Sequence, residues 1–189
     1  GMYRVAASIN GVEYRKAPLR VDFSLDPAAV LGIACEKTRL IFLCSPNNPS
    51  ANLLDRNSIR ELLGKFGGLV VVDEAYIDFS PEGSILPYLR EYPNLVVLQT
   101  FSKGWASAAI RLGMALASEE IVNVLNRIKY PYNVNALSLQ AAMQITGMEE
   151  ERTQWTRTLL EERKRLESFL KTSGKAVKLF PSDANFLLA

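Results

Sequence analysis

The chain has 189 residues, of which 48% are hydrophobic and 22% are charged, and its formal net charge is +2. This composition fits one or two globular domains with a sizeable core and excludes a disordered chain. No long basic run points to nucleic acid or to an anionic membrane surface, and no apolar run is long enough to span a bilayer. We therefore expect a cytoplasmic protein with neither kind of partner.

The chain contains no histidine, and its only cysteines are Cys35 and Cys44. The absence of histidine excludes catalytic Ser-His and Cys-His pairs and histidine-ligated metals. Two cysteines without a CxxC pattern indicate core thiols, and we expect no metal site and no disulfide framework. Proton transfer would therefore depend on lysine, tyrosine or a carboxylate.

Short apolar strands alternate with helices through the first two thirds of the chain. The pattern predicts helices over 3–9, from Asp26 and from Asp55 to about Phe66, and strands over 12–19, 40–43, 69–72, 95–99 and 111–117. Nearly continuous apolar strands that alternate with helices indicate an α/β fold, in which a mainly parallel sheet has helices on both faces.

From Ser118 onward the sequence is mainly helical, with helices predicted over 119–128, over 136–145 and, as a long charged helix, over 149–171. Two further strands are predicted over 176–180 and 185–188. We therefore expect a large domain over residues 1–147, and a long helix with the start of a small α+β domain over residues 148–189.

Polar side chains follow the carboxyl ends of the predicted strands, where parallel sheets bind their ligands. Lys103 comes just after the strand 95–99, where a partly desolvated lysine could form an imine. Asp73 ends the strand 69–72 and could keep a pyridine nitrogen protonated, and Tyr76 lies three residues on. Ser102 and Arg111 could hold a phosphate. Pyridoxal phosphate needs all these groups.

Each of these residues has an ordinary structural interpretation when it is taken alone. A Ser-Lys pair after a strand has little specificity as a motif, and an aspartate at a strand end is more often a helix cap or a solvated loop residue. The prediction therefore depends on the whole set of residues at one edge of the sheet.

Five segments, in order and in spacing, resemble histidinol-phosphate aminotransferases, which are fold-type I enzymes. These segments are Cys44-Ser45-Pro46-Asn47-Asn48-Pro49, Val72-Asp73-Glu74-Ala75-Tyr76, Phe101-Ser102-Lys103 with Ile110-Arg111-Leu112-Gly113, Pro131-Tyr132-Asn133-Val134-Asn135, and Ser182-Asp183-Ala184-Asn185-Phe186. The resemblance implies the large domain of a pyridoxal phosphate-dependent transferase and covers nearly all of the chain.

The resemblance also implies a role for each site residue. Lys103 would bond the cofactor covalently and carry the proton during transfer, and Asp73 would pair with the pyridine nitrogen. Tyr76 and Asn48 would contact the ring hydroxyl. The residues implied for the phosphate are Ser102, Arg111 and, as a weaker candidate, Thr100.

Asn133 is a weak candidate for contact with substrate, and the alternative is that it caps the helix that follows Asn135. The reaction implied is transfer of an amino group between glutamate and imidazole-acetol phosphate, in histidine biosynthesis, by a homodimer. Because relatives extend beyond this sequence at both ends, the chain is expected to be a fragment that does not catalyse the reaction alone.

Two alternatives stay open: another fold-type I enzyme such as threonine-phosphate decarboxylase, and a non-catalytic truncated product or interaction module. The chain also departs from the family pattern. Ala51 stands where relatives have glycine, and Ala106 and Ser107 replace a usual Gly-Leu. A change from glycine to alanine is harmless only where the backbone φ is negative. We also expect the Asn48–Pro49 peptide to be cis.

Overall fold

The computed structural model describes residues 2–174, 176 and 178–189. The helices in this part of the chain are α1 (Met2–Ile9), α2 (Pro27–Ile33), α3 (Arg56–Lys65), α4 (Glu119–Ile128), α5 (Ala136–Thr146) and α6 (Glu149–Ser173). The strands are β1 (Leu40–Cys44), β2 (Leu69–Asp73), β3 (Leu95–Thr100) and β4 (Gly113–Ala117). Short 3-10 turns span Ile77–Phe79, Leu86–Arg90 and Ala108–Ile110.

The strands form one sheet in the order β1-β2-β3-β4. β1, β2 and β3 run parallel, and β4 is antiparallel to β3. The register pairs Cys44 with Asp73 and Asp73 with Leu98. The three parallel strands therefore end at one edge of the sheet, and the predicted α/β class with a mainly parallel sheet is confirmed.

One face of the sheet carries the main hydrophobic core, and α2 and α3 pack against it. Each of these helices begins at an aspartate that accepts a hydrogen bond from a backbone N–H of the first turn, Asp26 from Ala29 and Asp55 from Ser58. Alternate strand residues point into this core: Ile41, Leu43, Val70, Val72, Leu95 and Val97.

The opposite face of the sheet is in contact with α1. The ring of Tyr3 stacks on Phe42 of β1, with the ring centroids 4.4 Å apart. Helices therefore lie on both faces, as predicted. None of the helices in the described part of the chain combines the length and the apolar character needed to cross a membrane.

The strand predicted over 12–19 is wrong, because these residues form neither strand nor helix. Val12 and Tyr14 are exposed, and Arg15 donates to the carbonyl oxygen of Ile33 at 2.7 Å. An alternating pattern becomes a strand only where a neighbouring strand accepts and donates the backbone hydrogen bonds. No strand of the described sheet pairs with this segment.

The strands predicted after α6 are also wrong where the structure describes them. Val177, in the predicted strand over 176–180, lies outside the described residues, and Ala176 and residues 178–180 are not in a strand. Residues 185–188 are irregular, with Phe180 N donating to Leu188 O at 3.0 Å. The domain boundary at residue 147 stays a prediction.

Candidate active site

The loop that follows β1, residues 45–54, presents Asn48 at the carboxyl edge of the sheet. We call it the asparagine loop. Its backbone closes on itself, because Asn47 N donates to Asn52 O at 2.9 Å and Ala51 N donates to Asn47 O at 2.7 Å. Ser50 lies inside and donates to the side-chain oxygen of Asn52. The loop therefore has hydrogen bonds of its own, and the Asn52 amide also donates outside the loop, to Phe23 O at 3.0 Å.

The peptide between Asn48 and Pro49 is cis, which confirms the prediction. The peptide between Ser45 and Pro46, at the start of the same loop, is also cis, and the sequence did not predict it.

Tyr76 lies at the centre of a cluster formed by three strand-to-loop junctions. Asn48 Nδ2 donates to the Tyr76 hydroxyl at 3.1 Å. The Lys103 ammonium lies 5.2 Å from the centroid of the Tyr76 ring, a cation–π distance, and Phe186 approaches the same ring edge-on at 5.2 Å. The structure therefore brings Asn48, Tyr76 and Lys103 together, with Lys103 exposed and Tyr76 half-buried.

The Asp73 carboxylate at the end of β2 accepts two hydrogen bonds. Ala75 N donates to Oδ1 at 3.1 Å, and the Tyr3 hydroxyl of α1 donates to Oδ2. Burial raises the pKa of Tyr3, and the bond to the Asp73 carboxylate raises it further. The sequence did not single out Tyr3, because a residue 70 positions away on an apolar helix gives no local signal of this contact.

Thr100 and Ser102 bring two hydroxyl groups together where β3 leads into the loop that carries Lys103. We call residues 101–111 the lysine loop. Ser102 N donates to Thr100 Oγ1 at 3.1 Å, and the two hydroxyl oxygens are 3.0 Å apart. Both side chains are half-buried. The loop therefore starts from a fixed turn next to the end of the strand.

Arg111 ends the lysine loop in a left-handed conformation, with φ +53°. Left-handed backbone at residues other than glycine clusters at functional sites. The left-handed conformation of Arg111 also explains why β4 starts at Gly113 instead of at residue 111 as predicted. The guanidinium donates to Ala108 O at 2.7 Å and is otherwise exposed. Within the described residues, no hydrogen bond or ion pair joins it to Asn48, Tyr76 or Lys103.

Asn133 is exposed and does not cap the helix that follows it, so the alternative interpretation from the sequence is wrong. Asn135 caps α5 instead, because its side-chain oxygen accepts from Ser138 N at 2.9 Å. The Ser138 hydroxyl donates to Ile110 O at 2.8 Å. The start of α5 is therefore attached to the end of the lysine loop, next to Arg111.

Glu74 is a buried carboxylate that sequence reasoning missed. It accepts from Ile85 N at 2.7 Å, from Gln99 Nε2 at 2.9 Å and from the Ser84 hydroxyl. Burial raises its pKa, although these three hydrogen bonds act in the opposite direction. Its donors come from other parts of the chain, so it braces the ends of β2 and β3 instead of facing a ligand.

The segment 182–186 returns from α6 to the asparagine loop. Asp183 N donates to Ala51 O at 2.7 Å, and Leu53 N donates to the Asp183 carboxylate at 2.7 Å. This attachment places Phe186 against Tyr76. The motif noted at Ser182–Phe186 therefore supports the cluster from a distant part of the sequence.

Three comparisons with known proteins show which family this chain is similar to. The family profile described as "Aminotransferase class I and II" matches residues 1–189. A histidinol-phosphate aminotransferase of Parabacteroides distasonis is 54% identical over 188 residues, which are 100% of this chain and 54% of that protein. A histidinol-phosphate aminotransferase of Bacteroides fragilis is 52% identical over 189 residues, which are 100% of this chain and 55% of that protein.

A solved histidinol-phosphate aminotransferase from Sinorhizobium meliloti, in complex with pyridoxal-5'-phosphate, superposes with a TM-score of 0.86. It is 21% identical, and the match covers 98% of this chain and 51% of that one. The chain belongs to the class I and II aminotransferase family. It spans about half the length of the curated relatives it matches.

The two alanines at which the sequence departs from the pattern of its family both have left-handed backbone. Ala51 has φ +63° and Ala106 has φ +50°. Ala51 is fully buried in the asparagine loop, whereas Ala106 is exposed in the lysine loop. The condition of a negative φ is not met at either site, so each alanine carries a strain that glycine would not.

Proposed function

We propose that this chain carries the cofactor-binding lysine of a histidinol-phosphate aminotransferase, which exchanges an amino group between glutamate and imidazole-acetol phosphate. The observation that carries the proposal is the cluster of Asn48, Tyr76 and Lys103, drawn from the loops after three parallel strands. The relatives named above are called histidinol-phosphate aminotransferases, which favours this reaction over that of another fold-type I enzyme.

The class I and II aminotransferase family depends on pyridoxal 5'-phosphate, and the groups at this edge of the sheet fit it chemically. Lys103 offers an amine for the aldehyde carbon, and Asp73 offers a carboxylate for the pyridine nitrogen. The hydrogen-bonded pair of Asn48 and Tyr76 suits the ring hydroxyl oxygen. When bound, the cofactor supplies an electron sink for the bond that breaks at the substrate α-carbon.

Three side chains are proposed to bind the cofactor phosphate. Arg111 offers a planar fork of donors, most of which are not used by its bond to Ala108. The hydroxyl groups of Ser102 and Thr100 lie where β3 enters the lysine loop. Support comes from the chemistry of these donors and from the left-handed backbone that presents Arg111.

Lys103 is proposed to act as both covalent anchor and proton carrier. Lys103 would hold the cofactor through its amine, and the same Nζ would be placed to take a proton from the substrate α-carbon and to return it at the end of the transfer. The Tyr76 ring beneath the ammonium limits where the amine can go. Asn133, exposed in the segment before α5, is proposed to contact substrate.

The proposed assembly is a homodimer in the cytoplasm. Support comes from exposed apolar side chains on α1, namely Met2, Val5 and Ile9. Residues spaced by three and four positions lie on one face of a helix, and an exposed apolar face is typical of a protein interface.

The direct test is to add pyridoxal 5'-phosphate to the purified chain, reduce the mixture with borohydride, and locate the modified lysine by mass spectrometry. We expect imine absorbance and reduction at Lys103. The exposed Lys129 is the internal control, and Lys103→Gln should remove the signal. Modification of Lys103 no greater than that of Lys129 would contradict the proposal and favour a non-catalytic chain.

The substrate is tested by supplying glutamate with imidazole-acetol phosphate, or threonine phosphate alone, at saturating cofactor. A single round of 2-oxoglutarate formation supports the aminotransferase, whereas release of carbon dioxide from threonine phosphate supports the decarboxylase. That the chain does not turn over by itself stays a prediction. Lysine-dependent turnover at a normal aminotransferase rate would show it to be wrong.

A further inference from the structure

Arg152 of α6 contacts two separate loops through one side chain. Its Nη1 donates to Asp78 Oδ1 at 2.9 Å, and both side chains are largely buried, with 19% and 20% of their surface exposed. The same guanidinium lies over the ring of Trp105, with its central carbon 4.8 Å from the ring centroid. This is a cation–π arrangement.

The two loops that Arg152 contacts are those that carry Tyr76 and Lys103. Asp78 lies in the 3-10 turn Ile77–Phe79 that directly follows Tyr76. Trp105 lies in the lysine loop, two residues after Lys103. Arg152 therefore contacts residues that lie within two positions of both members of the Lys103–Tyr76 pair.

Gly104 shows how closely the two loops approach. A Cβ atom at this position would lie 2.3 Å from Asp78 Oδ2, which is closer than real carbon atoms come to an oxygen. The backbone next to Lys103 therefore rests directly on the carboxylate that Arg152 holds. The position of Asp78 therefore limits where the backbone of Gly104, next to Lys103, can lie.

We infer that Arg152 is a positioning residue, which fixes Lys103 over Tyr76 by clamping Asp78 and Trp105. The inference rests on the proposed function for its consequence, because the position of Lys103 matters only if the lysine reacts. The contacts of Arg152 with Asp78 and Trp105 do not depend on the proposed function. A buried ion pair is by itself weak evidence of a contribution to stability. The alternative is that Arg152 only attaches α6 to the rest of the domain.

The electrostatics of the Arg152–Asp78 pair support a role for Arg152 in positioning the lysine loop. Burial raises the pKa of Asp78, and the Arg152 charge and hydrogen bond lower it, so loss of Arg152 would leave a poorly solvated carboxylate next to Gly104. Among the described residues, the buried Arg152 Nε has no hydrogen-bond acceptor. Glu149, one turn earlier in α6, lies 3.5 Å from Nη2, so the guanidinium is oriented by Asp78, Trp105 and this exposed carboxylate, and its Nε is left without an acceptor in the described part of the chain.

The test measures the reactivity of Lys103 in the full chain without cofactor. Each variant is labelled briefly with acetic anhydride, and the rate at Lys103 relative to Lys129 is read by mass spectrometry. For Arg152→Met we expect this ratio to rise about threefold, the factor that corresponds to losing a cation–π contact at an exposed amine. The matched control is Arg157→Met, because Arg157 lies on the same helix with 81% of its side chain exposed.

Arg152→Lys keeps the charge next to Asp78 and loses the planar contact with Trp105. We expect it to fold and to give a ratio between those of the wild type and Arg152→Met, so it carries the test if Arg152→Met does not fold. A ratio that falls or does not change in Arg152→Lys, or a rise of equal size in Arg157→Met, would overturn the inference.

The labelling does not use pyridoxal phosphate, so its result is separate from that of the imine test. A wild type that forms no imine contradicts the proposed function while the labelling ratios still report on Arg152. A wild type that forms the imine, with unchanged ratios in the folded Arg152 variants, contradicts only the positioning role.

Discussion

The asparagine loop and the lysine loop both follow parallel strands of one sheet, but different kinds of contact hold them. The asparagine loop is closed by its own hydrogen bonds and contains the fully buried Ala51. The lysine loop is more exposed, and Arg152 of the distant helix α6 clamps it at Trp105. Both loops have backbone hydrogen bonds of their own, but a distant segment attaches to the asparagine loop by hydrogen bonds at Ala51 and Leu53, whereas α6 contacts the lysine loop through the cation–π pair at Trp105.

The largest effect should come from Gly104→Ala. The new methyl group would overlap the Asp78 carboxylate, and Asp78 is held in place by Arg152. We expect a loss of about 3 kcal/mol in the free energy of unfolding, as for an overpacked core position. Urea unfolding followed by tryptophan fluorescence measures it.

Gly64→Ala is the control for that variant, since Gly64 lies in α3 and the methyl group of an alanine there would have no neighbouring atom within 4 Å. There alanine should stabilise the helix by about 0.5–1 kcal/mol. Equal stability of the two alanine variants would show that the contact between the lysine loop and Asp78 is not tight.

A smaller loss is expected from Asp183→Ala, which affects the asparagine loop. The variant removes the acceptor for Leu53 N, and a hydrogen bond to a charged group contributes about 1.5–3 kcal/mol. Asp183→Asn keeps an acceptor oxygen and should lose less. If both variants unfold at the wild-type urea concentration, the return of the segment 182–186 does not stabilise this loop.

The smallest effects should come from replacing the two left-handed alanines with glycine. Ala106→Gly relieves backbone strain at an exposed site and should stabilise the chain by about 1 kcal/mol. Ala51→Gly relieves the same strain but removes a buried methyl group that contributes about 0.8 kcal/mol, so the net change should be near zero. Thermal unfolding of both variants measures the difference, and a larger gain at Ala51 would contradict it.

The local parts of this fold could be predicted from the sequence because neighbouring residues determine them. The apolar runs 40–43, 69–72 and 95–99 each became a parallel strand, and the aspartates at 26 and 55 each cap a helix. Residues just past those strands were predicted to share one edge, and Asn48, Tyr76 and Lys103 do lie in contact.

Only the tertiary structure decided which distant residues support that cluster. Tyr3 lies 70 residues from Asp73, and Arg152 lies 74 residues from Asp78. No periodicity or spacing in the sequence predicts either contact. The segment 12–19 has the alternation of a strand, but no strand of the described sheet pairs with it. The sequence pattern determines which local structures a residue can form with its neighbours along the chain. Burial, strand pairing and the left-handed backbone at Ala51 and Ala106 depend on contacts that form only in the folded chain.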